Sequence, residues 1–167
     1  MSQLASVQIA CLTVFGLLLV LAAWQDWHTM RIADSLPLGI VATYVVWVAC
    51  SMALGTLSLG SVSIGWIGSG VLFGAGMVAF AVGALGGGDV KLLAAASLFA
   101  GPDLIGDFLM VTGLAGGLVG AAVLAGTLTG RTAPLSQPNV LRRSRCLVPY
   151  GPAIAAGGLW VTASIIA

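Results

Sequence analysis

The sequence predicts an all-α integral membrane protein: a six-transmembrane-helix bundle with the N-terminus and the C-terminus outside. Three observations lead there. The 167 residues are 59% hydrophobic and only 7% charged, against about 25% charged in ordinary soluble domains. Mean hydropathy is +1.11. Apolar stretches near the length of a membrane crossing alternate with short polar breaks. The length fits one membrane-embedded domain over residues 1–167.

Residues 4–24 form the first expected span. They lack the basic start of a cleaved signal peptide and are long enough to cross. A polar loop follows over 25–35, then span two over 36–54, with Pro37 suited to a first helical turn. An uncharged Gly/Ser-rich link, 55–63, leads to span three at 64–85. Span four, 90–100, is short and is broken by Gly101-Pro102-Asp103. It rises about 16 Å against a hydrocarbon core of about 30 Å, so its start is expected below the membrane surface, in a recess walled by protein. Span five is 104–128, and a basic loop at 129–147 precedes span six at 148–167.

The charges set the orientation. With the N-terminus outside, Arg31, Lys91, Arg131, Arg142, Arg143 and Arg145 all fall on the cytoplasmic side, as the positive-inside rule requires. Six scattered basic residues build no phosphate-tracking surface, so nucleic acid is not an expected partner, whereas membrane lipid is. Trp24 and Trp27 read as interfacial belt residues. Cys146 reads as a free thiol in the basic loop. Cys11 and Cys50 fall at similar depth, which leaves a disulfide open beside the simpler reading of small buried hydrophobes. The pairs Gly70/Gly74, Gly113/Gly117 and Gly116/Gly120 predict close helix packing inside the bundle.

One polar knot interrupts the apolar middle of the chain: Gly86-Gly87-Gly88-Asp89-Val90-Lys91. An ionisable residue between spans is expensive and reads as functional by default. Asp26 follows span one and Asp89 precedes span four. Two crossings separate them, so both reach the same face. Two carboxylates that meet there cannot both be ionised comfortably, and hold one proton between them. The ionised member can take a proton from water while the protonated member polarises a scissile carbonyl. The glycines carry nothing that would keep a substrate backbone from Asp89. A helix N-terminal charge is the simpler reading of Asp89, and a solvated interfacial charge that of Asp26.

Gly86 to Lys91 resembles the GxGD signature of type IV prepilin peptidases, which continues as Asp-x-Lys. Asp26 followed by Arg31-Ile32 is similar to their first aspartate motif, although Ala33-Asp34 stands where the family has Pro-Asn. Val148 to Ala155 is similar to their Pro-Tyr-Gly segment. The resemblance implies a membrane aspartyl endopeptidase with Asp26 and Asp89 as catalytic dyad, in the bacterial inner membrane. It implies prepilin substrates with a short basic leader, cut after a Gly ahead of a hydrophobic helix, and the pilus-assembly machinery as a further partner. The chain has no CxxC pair or cysteine-rich insert, so it looks like the short, peptidase-only branch serving Flp-type pili, without a methyltransferase insert or activity. No cofactor or metal is implied.

Supporting residues are assigned around that pair. Gly86, Gly87 and Gly88 give substrate room, and Tyr150 and Gly151 either line the site or simply start a tight helix. Lys91 either snorkels or pairs near the site. Asp34 reads foremost as the cap of the second helix, with a leader contact or a spare carboxylate as alternatives. His28 reads as an interfacial hydrogen-bonding group; a lone His makes no metal site. The rival reading, from another class, is a non-catalytic membrane scaffold or small ion- or proton-coupled transporter, since intramembrane carboxylates and broken helices also suit ion pathways.

Overall fold

A computed structural model describes residues 2–128 and 149–167. Arg131, Arg142, Arg143, Arg145 and Cys146, with the rest of the expected basic loop and Val148, lie outside the described residues. Those described are helical, with no strand among them: α1 (Ser2–Thr29), α2 (Ser35–Ala53), α3 (Leu59–Ala81), α4 (Gly87–Leu128) and α5 (Gly151–Ile166). By length and composition four of these can cross a membrane, Gln3–Thr29, Ser35–Ala53, Leu59–Ala81 and Gly87–Gly126, while α5 is apolar but shorter. The expected fourth and fifth spans are two arms of one bent element, so length and composition give four candidate helices among the described residues.

That element bends at Gly101, whose φ of 55° and ψ of −168° are not helical. This region of backbone space is essentially reserved for glycine. Pro102 adds to the break, since it lacks an N–H and restricts the residue before it. The bend reverses the chain. At the start of the first arm Asp89 is close enough to Asp26 to feel its charge. Far along the second arm Gly116 packs on Tyr150, whose neighbour Gly151 bonds the same Asp26. Both arms therefore reach the level of Asp26, and α4 is a helical hairpin. Each arm rises only about 20 Å over that distance.

The core lies where α1, α2, α5 and the first arm of α4 meet, and includes Phe15, Leu19, Ile40, Leu92, Phe99, Ile154 and Val161. Phe15 stacks on Phe99 with centroids 4.0 Å apart, and Tyr44 meets Phe99 edge-on at 5.3 Å. Small residues bring α5 against its neighbours. A Cβ on Gly157 would collide with Thr112 and sit 2.9 Å from the Phe108 carbonyl oxygen; one on Gly158 would collide with Leu19. Outside this core the surface is apolar all round: Leu17, Leu38, Ile67 and Leu118 are more than half exposed. In water such a surface would drive association; against lipid tails it is ordinary.

Several expectations shift here. The first helix does not stop at Trp24 but continues through Thr29, so Asp26 lies on a helical turn rather than in a loop. Of the glycine pairs expected to pack inside the bundle, Gly116 does, whereas a Cβ at Gly70, Gly74, Gly113, Gly117 or Gly120 would meet nothing within 4 Å. Cys11 and Cys50 are both free thiols.

The bend yields a clean test. A Cβ at Gly101 would touch nothing within 4 Å, so Gly101→Ala probes backbone strain alone. It should cost about 1–3 kcal/mol, read as a lower unfolding midpoint in detergent. Gly74→Ala, equally open but helical, should leave the midpoint unchanged or raise it, by about 0.5–1 kcal/mol.

Candidate active site

Two carboxylates lie toward one end of the bundle, each accepting a hydrogen bond from a glycine amide. Asp26, on the last turns of α1, is 5% exposed. Its Oδ2 accepts a hydrogen bond from the Gly151 N–H at 2.8 Å, at the first turn of α5. The first N–H groups of a helix have no partner inside it, so a carboxylate there satisfies an orphan donor and meets the positive end of the dipole. Gly151 must be glycine for this approach, because a Cβ would lie 2.7 Å from the Asp26 Cβ.

Asp89 repeats the device within its own helix. It is the third residue of α4, and its Oδ2 accepts from the Gly86 N–H at 3.2 Å. This is the reach-back half of a capping box, with Asp in place of Glu. Its other oxygen, Oδ1, is buried and has no hydrogen-bond partner. Native structures seldom leave a buried carboxylate oxygen unpaired, and such a group asks for an explanation.

The three glycines are used differently from the expectation that they leave room for substrate. A Cβ on Gly86 would sit 2.7 Å from Asp89 Oδ2, one on Gly87 3.5 Å from Phe80, and one on Gly88 3.1 Å from the Ile32 Cβ. The space is taken by the protein's own groups. Gly88 and Ile32 join the start of α4 to the α1–α2 loop, and that contact went unread in the sequence. The loop itself is pinned from α1. Gln25 Oε1 accepts from the Ala33 N–H at 3.0 Å, and the Thr29 hydroxyl donates to the Gln25 or the Arg31 carbonyl oxygen. These bonds hold Met30 at a φ of 51°, a left-handed conformation that is uncommon outside glycine.

Other expected residues fall nearby. Asp34 occupies the N-cap position of α2 but makes no side-chain cap bond, because its backbone is already helical, with φ −60° and ψ −20°. Its carboxylate instead pairs with Lys91 Nζ at 2.7 Å. Both side chains are largely exposed, so the pair contributes about 0.2–1 kcal/mol at most. Tyr150 lies against Gly116, next to the Asp26 anchor. His28 is exposed and its ring tilts against Trp24, 4.5 Å between centroids.

The sequence profile of the type IV leader peptidase family matches residues 13–124. The chain belongs to that family. It is also 32% identical over 146 residues to the prepilin leader peptidase/N-methyltransferase of Bacillus subtilis (strain 168), a match that covers 87% of this chain and 52% of that protein. The chain thus spans about half the length of this relative. No solved structure matches it. As a leader peptidase family member it is a multi-pass membrane protein, and both aspartates lie inside the stretch matched by the profile.

The Asp26 anchor sets a prediction for this leader peptidase homologue. Gly151→Ala should force the carboxylate aside and lower stability by about 1–3 kcal/mol. Gly87→Ala, whose Cβ would make only ordinary contact with Phe80, should change it by no more than about 0.5 kcal/mol. Chemical or thermal unfolding in detergent checks both.

Proposed function

We propose that this protein is a membrane aspartyl endopeptidase that removes the basic leader from prepilins, of the Flp type, at the cytoplasmic face of the bacterial inner membrane. The observation that carries the reading is the pair itself. Asp26 and Asp89 come from distant parts of the chain, lie within reach of each other's charge, and are each held through one oxygen by a glycine amide. The buried, unpaired Oδ1 of Asp89 supports the reading, since a carboxyl oxygen without a donor is better accommodated in the protonated form.

The chemistry follows from two carboxylates with one proton between them. The ionised one takes a proton from water, and the resulting hydroxide adds to the scissile carbonyl carbon, which the protonated one polarises. Collapse of the tetrahedral intermediate breaks the C–N bond, and the departing amine takes a proton back from the dyad. One water is consumed. The new carboxylate ends the leader and the new amine begins the mature chain. Methyl transfer to that amine belongs to the name of the Bacillus subtilis relative and is no part of this proposal.

The proposed orientation puts both termini outside and the dyad at the cytoplasm, with six apolar segments. The positive-inside rule supports it, as does the reversal at Gly101, which returns the second arm of α4 to the level of Asp26.

Asp26→Asn and Asp89→Asn should each slow leader removal by at least about 100-fold while the protein stays in the membrane. An Asn at 89 retains an oxygen for the Gly86 N–H, so the fold is spared. Mass spectrometry of the N-terminus of a co-expressed prepilin reads the result; normal processing by Asp89→Asn ends the dyad reading.

A further inference from the structure

A groove of about 490 Å³ runs along the lipid-facing side of the bundle, between α2, α3 and the first arm of α4. Each helix contributes a stripe spaced i, i+3, i+4, i+7: from Asp34 to Val41, from Trp66 to Phe73, and from Lys91 to Leu98. Seven residues of helix rise about 10 Å, so the groove is two turns long. Leu38, Trp66 and Phe73 stand at its edges, 73%, 46% and 42% exposed. Ala94 and Gly70 both line it, and a Cβ at Gly70, or at Gly74 one turn on, would meet nothing within 4 Å. The buried hydroxyl of Ser69 already donates to the Ala94 carbonyl oxygen at 2.6 Å. The floor therefore takes an apolar occupant.

Small residues between taller walls let a helix backbone come close, which is how helices associate in lipid, where no hydrophobic force drives them together. The ends of the groove differ. One end is wholly apolar. The other carries the Asp34–Lys91 ion pair, at the level of Asp89 two residues away. A helix that arrived with its N-terminus at this end would bring unpaired N–H groups and the positive end of its dipole to the Asp34 carboxylate.

We propose that this groove seats the apolar helix of the membrane-anchored substrate, its N-terminus at Asp34. The inference rests on the leader peptidase reading above. It also fixes a distance. At 100° per residue, Lys91 lies about 200° around α4 from Asp89, so the groove and the dyad occupy opposite faces of one helix. Substrate leaving the groove crosses the N-terminal end of α4, about 10 Å wide, to reach Asp89. Extended chain covers that in about three residues. The docked helix therefore begins about four residues beyond the cleaved bond.

The test uses the full chain in proteoliposomes with a prepilin that keeps its apolar segment. With Asp89→Asn to hold the substrate, a photoreactive benzoylphenylalanine replaces Leu38 in the groove or, as control, Leu17, 59% exposed on α1. The expected result is a prepilin adduct from position 38 several-fold above that from 17, mapping to the apolar segment from about its fourth residue onward. Equal labelling from both positions, or adducts from position 38 only to lipid or to a second copy of the peptidase, overturns the proposal. In the uncrosslinked enzyme Gly70→Leu fills the floor and should raise KM for the prepilin about tenfold with kcat kept; an unchanged KM counts against docking. If the unsubstituted protein leaves the prepilin uncut, the leader peptidase reading fails; if it cuts while these results fail, only the groove is lost.

Discussion

A buried carboxylate bonded to the first N–H of a distant helix is the interaction from which the rest of this site follows. Asp26 ends α1, Gly151 begins α5, and 2.8 Å separates oxygen from nitrogen. The bond meets two needs at once. A helix start inside a bundle has donors that must be satisfied, and a carboxylate in an apolar setting must have hydrogen bonds to stay there. Neither can be met without glycine at 151, since any side chain would take the place of Asp26. Further along α5, Gly157 and Gly158 keep the same helix close to the second arm of α4 and to α1. One helix edge of small residues thus sets the position of Asp26 relative to everything packed around it.

Asp89 is placed by the same logic with different parts. Its Oδ2 caps its own helix through Gly86, Gly87 accommodates Phe80, and Gly88 accommodates Ile32. The reading of Asp89 as a helix N-terminal charge and its reading as a reactive group are therefore not rivals. One oxygen does the first, and the other stays buried and unpaired. The bend at Gly101 completes the arrangement: without a reversal there, the second arm could not return to Tyr150 beside the Asp26 anchor.

Much of this was legible in the chain because the controlling signals are local. Apolar runs name helices, and Gly101-Pro102 names a break. A lone Asp after three glycines marks one costly charge at a helix start, and counting spans places Asp26 on its face. What was misread depends on side-chain partners, near or far in sequence, that hydropathy does not register. Residues 25–29 look like loop to a hydropathy scan, yet they continue α1 because their polar side chains, Gln25 and Thr29, tie down the loop that follows. Asp34 has a capping position and sequence, but Lys91, 57 residues on, takes its carboxylate. Hydropathy registers the break at Gly101-Pro102 but not the direction of the chain after it, which only the packing of the second arm on α5 reveals.

On the proposed function, the two faces of the first arm of α4 divide a problem that any protease working at a membrane must solve. Hydrolysis needs water at the dyad, while the substrate's helix needs lipid or protein around its backbone. A short helix resolves this by its period alone. Asp89 falls on the face turned to Asp26, and Lys91, Ala94 and Leu98 fall on the face turned to the groove. The passage between them lies over the end of the helix, where the glycines of the turn have already given their side-chain space to Asp89, Phe80 and Ile32. Nothing of their own projects there. On this geometry the glycine turn serves a substrate by being filled and level rather than by being empty, and an extended peptide crosses it before reaching Asp89.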